Sequence, residues 1–171
     1  MPEPAKQQAV QSGAIAREFL AHYLNATPKE TSAKYVRIGD DLEEYKINLN
    51  AEVTKKRNIL GENSVKISAY DPSSSVDTFY AVKGNALYTF LQDIVDNRKK
   101  LDEVKTTALE VHTWDGTPGA YVAYEEEVYL EVKDYGGKYD GYQIPFDVHY
   151  TGKRKKGKFN ETTNTFTADS N

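Results

Sequence analysis

Between residues 142 and 150 the chain alternates side chains without a fault. Tyr142, Ile144, Phe146, Val148 and Tyr150 fall on one side, with Gln143, Asp147 and His149 on the other. A period of two sends successive side chains to opposite faces of a pleated strand, so this run buries a single face only as a strand. The same period returns along most of the sequence. Val36 and Ile38 form a short strand, and Tyr45, Ile47 and Leu49 alternate with Glu44, Lys46 and Asn48. Val65, Ile67 and Ala69 repeat the pattern, Leu109 and Val111 oppose Glu110 and His112, and Val128, Leu130 and Val132 oppose Glu127, Tyr129, Glu131 and Lys133. Gly, Pro, Asp and Ser clusters at residues 39–41, 71–75, 115–119 and 136–141 supply turns between these runs. Pro145 lacks an N–H and marks an edge or a bulge, and a last hairpin is expected through residues 152–157 to Phe159 and Phe166.

Two stretches follow the helical period instead. Ala86, Leu87, Phe90, Leu91, Ile94 and Val95 make one broad apolar stripe over residues 85–97, with Asn85 able to cap the start. Arg98, Lys99 and Lys100 then complement the negative end of the helix dipole. Earlier, Val10, Ala14, Ala16, Phe19, Leu20, Tyr23 and Leu24 recur at spacings of three and four, which predicts an amphipathic helix closed by Thr27-Pro28. Residues 1–30 therefore read as an N-terminal arm ahead of a β domain at 35–167. Residues 50–63 carry Lys55, Lys56 and Arg57 and read as a loop far longer than the usual hairpin connection of about 2–5 residues. The fold class that follows is α+β, mainly β: an antiparallel sandwich or barrel of roughly seven or eight strands with one packed α-helix.

Composition narrows the function classes. The absence of cysteine excludes a disulfide framework, a thiolate metal site and a cysteine nucleophile. Acidic residues number 26 against 22 basic, a net charge of −4, which is not the dominant basic face of a nucleic-acid gripper. No apolar run approaches the roughly 18–20 residues of a membrane span, and residues 1–13 lack a signal peptide's basic and apolar regions, so a cytosolic origin is expected. Thirteen tyrosines against six phenylalanines suit half-buried sheet surfaces, and also subunit interfaces.

Catalytic and metal motifs are missing. His22, His112 and His149 form no short ligand-spaced cluster, although His112 and His149 fall on polar strand faces and could be neighbours in space. Glu125, Glu126 and Glu127 are consecutive and point to alternating faces rather than converging as a glycosidase pair would. Residues 134–141 lack the spacing and terminal Glu of a calcium loop, and there is no GxSxG, P-loop or GxGxxG. No cofactor, metal site or enzymatic activity is expected. Lys153, Arg154, Lys155, Lys156 and Lys158 are the densest basic run. On a hairpin they read as a solvated turn, or as a positive knob meeting an acidic patch of a neighbouring copy.

The segment YVRIGDDLEEYKINLNAEVTKKRNIL from Tyr35, followed by Gly61-Glu62, resembles the start of major tail tube proteins from phages, or phage-derived particles, of Gram-positive bacteria. The resemblance continues through Ser75-Val76-Asp77-Thr78-Phe79-Tyr80 and the helix end Leu91-Gln92-Asp93-Ile94-Val95-Asp96. It closes on IPFDVHYTGKRKKGKF and a final TFT. The order of these segments carries it more than any single motif, and it covers most of residues 35–167. It implies a structural virion protein whose six copies form a ring, with rings stacked into the tail tube that conducts DNA without binding its sequence. It also implies synthesis in the host cytoplasm, no membrane, and contacts with a tape measure, a terminator, and a baseplate or sheath. On this reading Lys55, Lys56, Arg57, Ile59 and Leu60, and the run Lys153, Arg154, Lys155 and Lys156, touch other copies. Glu44, Glu127 and Glu131 line the lumen, where negative charge lets DNA slide. Two alternatives stand beside it: a β-sandwich binding module using Trp114 and tyrosines as a stacking platform for a host-surface glycan or protein, and a tail terminator or connector ring.

Overall fold

The computed structural model describes residues 12–170. Ten strands and one α-helix follow in the order β1 (Leu20–Asn25), β2 (Tyr35–Ile38), β3 (Ile47–Asn48), β4 (Ala51–Arg57), β5 (Asn63–Tyr70), β6 (Ser73–Val76), α1 (Ala86–Asn97), β7 (Lys105–Thr117), β8 (Ala120–Val132), β9 (Phe146–Asn160) and β10 (Thr165–Ala168). Eight strands build one antiparallel sheet in the order β2-β1-β7-β8-β9-β6-β3, with β10 also on β9, while β4 and β5 form a separate two-stranded hairpin. The α+β class, the mainly antiparallel sheet and the single α-helix follow the sequence reading.

Two apolar clusters lie on opposite faces of this sheet. Alternation along β8 shows it: Val128 and Leu130 belong to the first cluster, Tyr121 and Ala123 to the second. The first cluster is roofed by Leu87, Leu91, Ile94 and Val95 of α1, packed over Phe146, Val148, Val76 and Ile144. Asn85 caps the helix by accepting from Leu87 N at 2.9 Å, and the Arg98 side chain donates to the Val95 carbonyl at the other end. The second cluster gathers Leu109, Val111, Phe159 and Tyr35, with Tyr23 and Phe166 against it, on the concave side of a rolled sheet. Asn164 locks that roll. Its Oδ1 accepts from Tyr35 N at 2.7 Å and its Nδ2 donates to Tyr35 O at 2.8 Å, tying β2 to the β9–β10 turn. Full burial of a side chain such as Phe146, Phe159 or Leu91 contributes about 1.5–3 kcal/mol, so the clusters dominate the fold's stability.

Four expectations need correction. The helix expected to end near Thr27 is, over Leu20–Asn25, strand β1 between β2 and β7. Ala21 packs into the second cluster and Leu24 into the first, so both faces are buried and the near-continuous apolar run mimics a helical stripe. The expected start of that helix at Val10 lies outside the described residues. The long loop at 50–63 is instead β4 and the turn of a hairpin. The strand expected over 42–49 shrinks to Ile47–Asn48, because Tyr45 is held from a non-strand segment by its hydroxyl, 2.7 Å from Ser74 Oγ.

The fourth correction concerns residues 152–157, which are not a turn. β9 runs through them unbroken to Asn160, and the hairpin turn comes after it. Gly152, at φ +85°, sits in a bulge: Glu127, between Glu126 and Val128 of β8, opposes the three residues Thr151, Gly152 and Lys153 of β9. Gly157 serves close packing, since a Cβ there would stand 2.2 Å from Thr167 O and 2.7 Å from the Phe166 ring. The alternation at 142–150 begins outside the strand as well. Gln143 only bridges to Tyr80 and Gly136, and Pro145 immediately precedes β9.

Candidate assembly surface

The β4–β5 hairpin is exposed at every position. Its register pairs Val53 with Ile67, Lys55 with Val65, and Arg57 with Asn63, which places these six side chains on one face. Thr54, Lys66, Lys56 and Ser64 occupy the other. One face therefore carries three large aliphatic side chains, with Lys55 across from Val65 and Arg57 at the tip end, and the other carries only polar side chains at these four positions. At the tip, Asn58 organises the turn by accepting from the N–H groups of Leu60 and Glu62 at 2.9 Å each. That turn presents Ile59 and Leu60 outward at 102% and 77% exposure. A lone two-stranded hairpin is marginal in water, and this one's apolar face is bare among the described residues, which makes it a candidate contact surface.

The basic run expected to form a knob is arranged differently. Lys153 Nζ lies 3.3 Å from Glu127 Oε1, and Lys155 stands directly across from Glu125. Arg154 projects to the helix side, bridging Glu110 at 3.4 Å and the buried Glu126 at 3.5 Å while its guanidinium sits 4.3 Å from the Tyr124 ring centre. Lys156, opposite Tyr124, has no ion pair among the described residues.

Of the three expected lumen glutamates, Glu127 and Glu131 share a face of β8 with Tyr129, on the side away from α1. Glu44 lies outside the sheet, ion-paired to Lys46 at 2.6 Å. Each of the three has a base beside it, because Glu131 meets His149 at 2.6 Å. Glu131, Asp147 and His149 bring three ligand-type atoms within 4.8 Å of one another. Lys133 Nζ already stands 3.1 Å from Asp147 Oδ1, supplying the positive charge the cluster attracts.

His112 and His149 do not meet. His112 pairs with Val122 and His149 with Tyr129, well apart along β8. His112 stacks on Trp114 at 4.4 Å and contacts Glu110 at 2.6 Å, a contact that holds the Glu110 carboxyl below its ordinary pKa against the opposing effect of burial. His22 is the unforeseen member of this region. It is 7% exposed, edge-on to Tyr45 at 4.7 Å, and its Nε2 has no hydrogen-bond partner among the described residues. Burial, aided by Arg17, lowers its pKa to about 4. Only the placement of His22 at the seam between β1 and β7 reveals it, and a sequence read as helix hides that seam.

No protein-family model matches the chain, and no curated protein sequence does. The fold does have a solved counterpart, described as a hybrid structure of the SPP1 tail tube by solid-state NMR and cryo-EM. The two superpose with a TM-score of 0.61 over 88% of this chain and 83% of that one, at 16% identity. At that identity the likeness is one of fold.

Proposed function

We propose that the chain is a structural subunit of a phage tail tube, six copies closing a ring and rings stacking into a conduit for DNA. The observation that carries this reading is the β4–β5 hairpin, with its bare aliphatic face, on a fold shared with the SPP1 tail tube subunit. A hairpin on one part of the molecule and its receiving surface on another make a head-to-tail contact, which closes into rings or extends into filaments. Strand edges that would otherwise template aggregation gain partners in the same step. Glu127 and Glu131 face the lumen in this arrangement, and their lysine and histidine partners leave the wall mixed in charge, so phosphate backbones slide without sticking. The work is mechanical and needs no cofactor. Tape measure, terminator, and baseplate or sheath proteins are the expected partners in the virion, after synthesis in the host cytoplasm. Negative-stain microscopy and sedimentation of the concentrated protein test the reading. Hollow tubes support it, isolated rings that never stack indicate a terminator, and a monomer that binds glycan indicates a binding module.

A further inference from the structure

The hairpin leaves open which part of the next copy receives it. Lys55, Lys56 and Arg57 take part in no ion pair among the described residues, and the same holds for Asp40, Asp41 and Glu43 in the segment between β2 and β3. Asp40 and Glu43 rim a groove of about 650 Å³ whose walls include Leu20, Ile38 and Leu42. Of the two arginines on the groove, Arg17 donates to the carbonyls of Leu20 and Tyr45, leaving Arg37 to oppose Glu18, Asp40 and Glu43. His22 also lines the groove, more than nine-tenths buried and with its Nε2 unpartnered. The groove thus has a mixed lining: Leu20 and Leu42 are partly open, Glu18, Asp40 and Glu43 outnumber Arg17 and Arg37, and one buried polar atom has no partner among the described residues.

We infer that this groove receives the β4–β5 hairpin of a second copy: Val53, Val65 and Ile67 cover Leu20 and Leu42 while Lys55 and Arg57 meet Asp40 and Glu43. The inference rests on the tube-subunit reading and names the surfaces that join its copies. Charge complementarity selects the occupant, since cations without partners on the hairpin match carboxylates without partners on the rim. Reach permits it as well. Seven residues of β4 extend roughly 20 Å at about 3.4 Å per residue, enough to cross from one copy to the next. The apolar face and the two cations lie on the same side of the hairpin, so a single docking pose satisfies both.

The test uses paired charge reversals in the full chain, read by sedimentation and negative-stain microscopy. K55E with R57E, and separately D40K with E43K, should each raise the concentration needed for assembly at least tenfold, and the four changes together should restore it. All these side chains are exposed, and far-UV circular dichroism checks that every variant folds. Because the chain has no cysteine, a second readout is independent of assembly. V65C and L42C proteins, mixed under mild oxidation, should form a crosslinked dimer at least tenfold faster than V65C mixed with K138C. Wild-type tubes whose formation the reversals leave undisturbed, or a four-fold variant that folds but does not recover, overturn the docking and leave the tube reading standing. A wild-type chain that stays monomeric under every condition overturns both.

Discussion

The buried histidine makes a stability prediction whose sign and size follow from its surroundings. His22 faces Arg17, Arg37 and His112, which disfavour its protonation, and Glu110, which favours it. Burial outweighs them all and lowers the pKa from 6.5 to about 4. The fold therefore holds the ring neutral, while the unfolded chain takes up a proton near pH 6.5. Stability from this source is complete above pH 6.5 and is lost progressively as the pH falls toward about 4. At 1.36 kcal/mol per pKa unit the full loss is about 3 kcal/mol, of which about 2.5 kcal/mol is gone at pH 4.5. Glu110 has a pKa lowered from 4.5, so its stabilisation persists above pH 4.5 and fades only below it. The window from pH 7.5 to 4.5 thus isolates the histidine. Urea unfolding of dilute protein across that window, followed by far-UV circular dichroism, should show wild type losing about 2.5 kcal/mol more than His22→Leu. If His22→Leu and wild type lose the same stability, the ring is not held neutral by burial and the reasoning fails.

Leu91, 0% exposed beneath α1, should cost about 2–5 kcal/mol when changed to Ala, measured by urea denaturation. Gly157→Ala places a methyl where Thr167 O stands 2.2 Å away, so β10 should detach, read as fast amide exchange at Thr167 and a stability loss of about 1–3 kcal/mol. Arg154→Met leaves Glu126 buried without its cation. Because the guanidinium is partly exposed and its contacts are long, thermal and urea unfolding should report about 1–2 kcal/mol rather than the roughly 3–5 kcal/mol of a fully buried pair. Replacing residues 53–67 with a short glycine linker removes a hairpin exposed at every position among the described residues, so the melting temperature of the dilute monomer should move by no more than about 2 °C.

The parts of this fold that are legible in the sequence are those that bury one face inside the chain. Helix α1 shows a clean stripe because Leu87, Leu91, Ile94 and Val95 all point into the first cluster, and its Asn85 cap is visible for the same local reason. The alternation in β8 is equally plain, since Val128 and Leu130 meet that cluster while Glu131 meets solvent. Strand β1 misleads because both its faces are covered. With Ala21 in one cluster and Leu24 in the other, the period-two signal is filled in and a helical spacing appears by coincidence. The run from Lys153 to Lys158 misleads differently. Its charges read as a solvated turn until β8 places Glu125, Glu126 and Glu127 on the neighbouring strand.

The hairpin marks where reading one chain stops being informative. β4 is the sequence AEVTKKR, with Val53 as its one large aliphatic side chain, and no position of it is covered by the described residues. Hydrophobic periodicity records burial, so a strand whose covering surface belongs to another copy writes only part of its pattern in its own residues. The remainder is written across the hairpin: Val53 gains meaning when the register sets it beside Ile67 and one residue pair from Val65. The same logic applies to the groove, whose acidic rim looks like an ordinary turn at Gly39-Asp40-Asp41 until its carboxylates are found without partners. In the proposed docking, charges and aliphatic groups left unsatisfied in one molecule are the signal for assembly. They are legible only after the intramolecular partners of every other residue have been assigned.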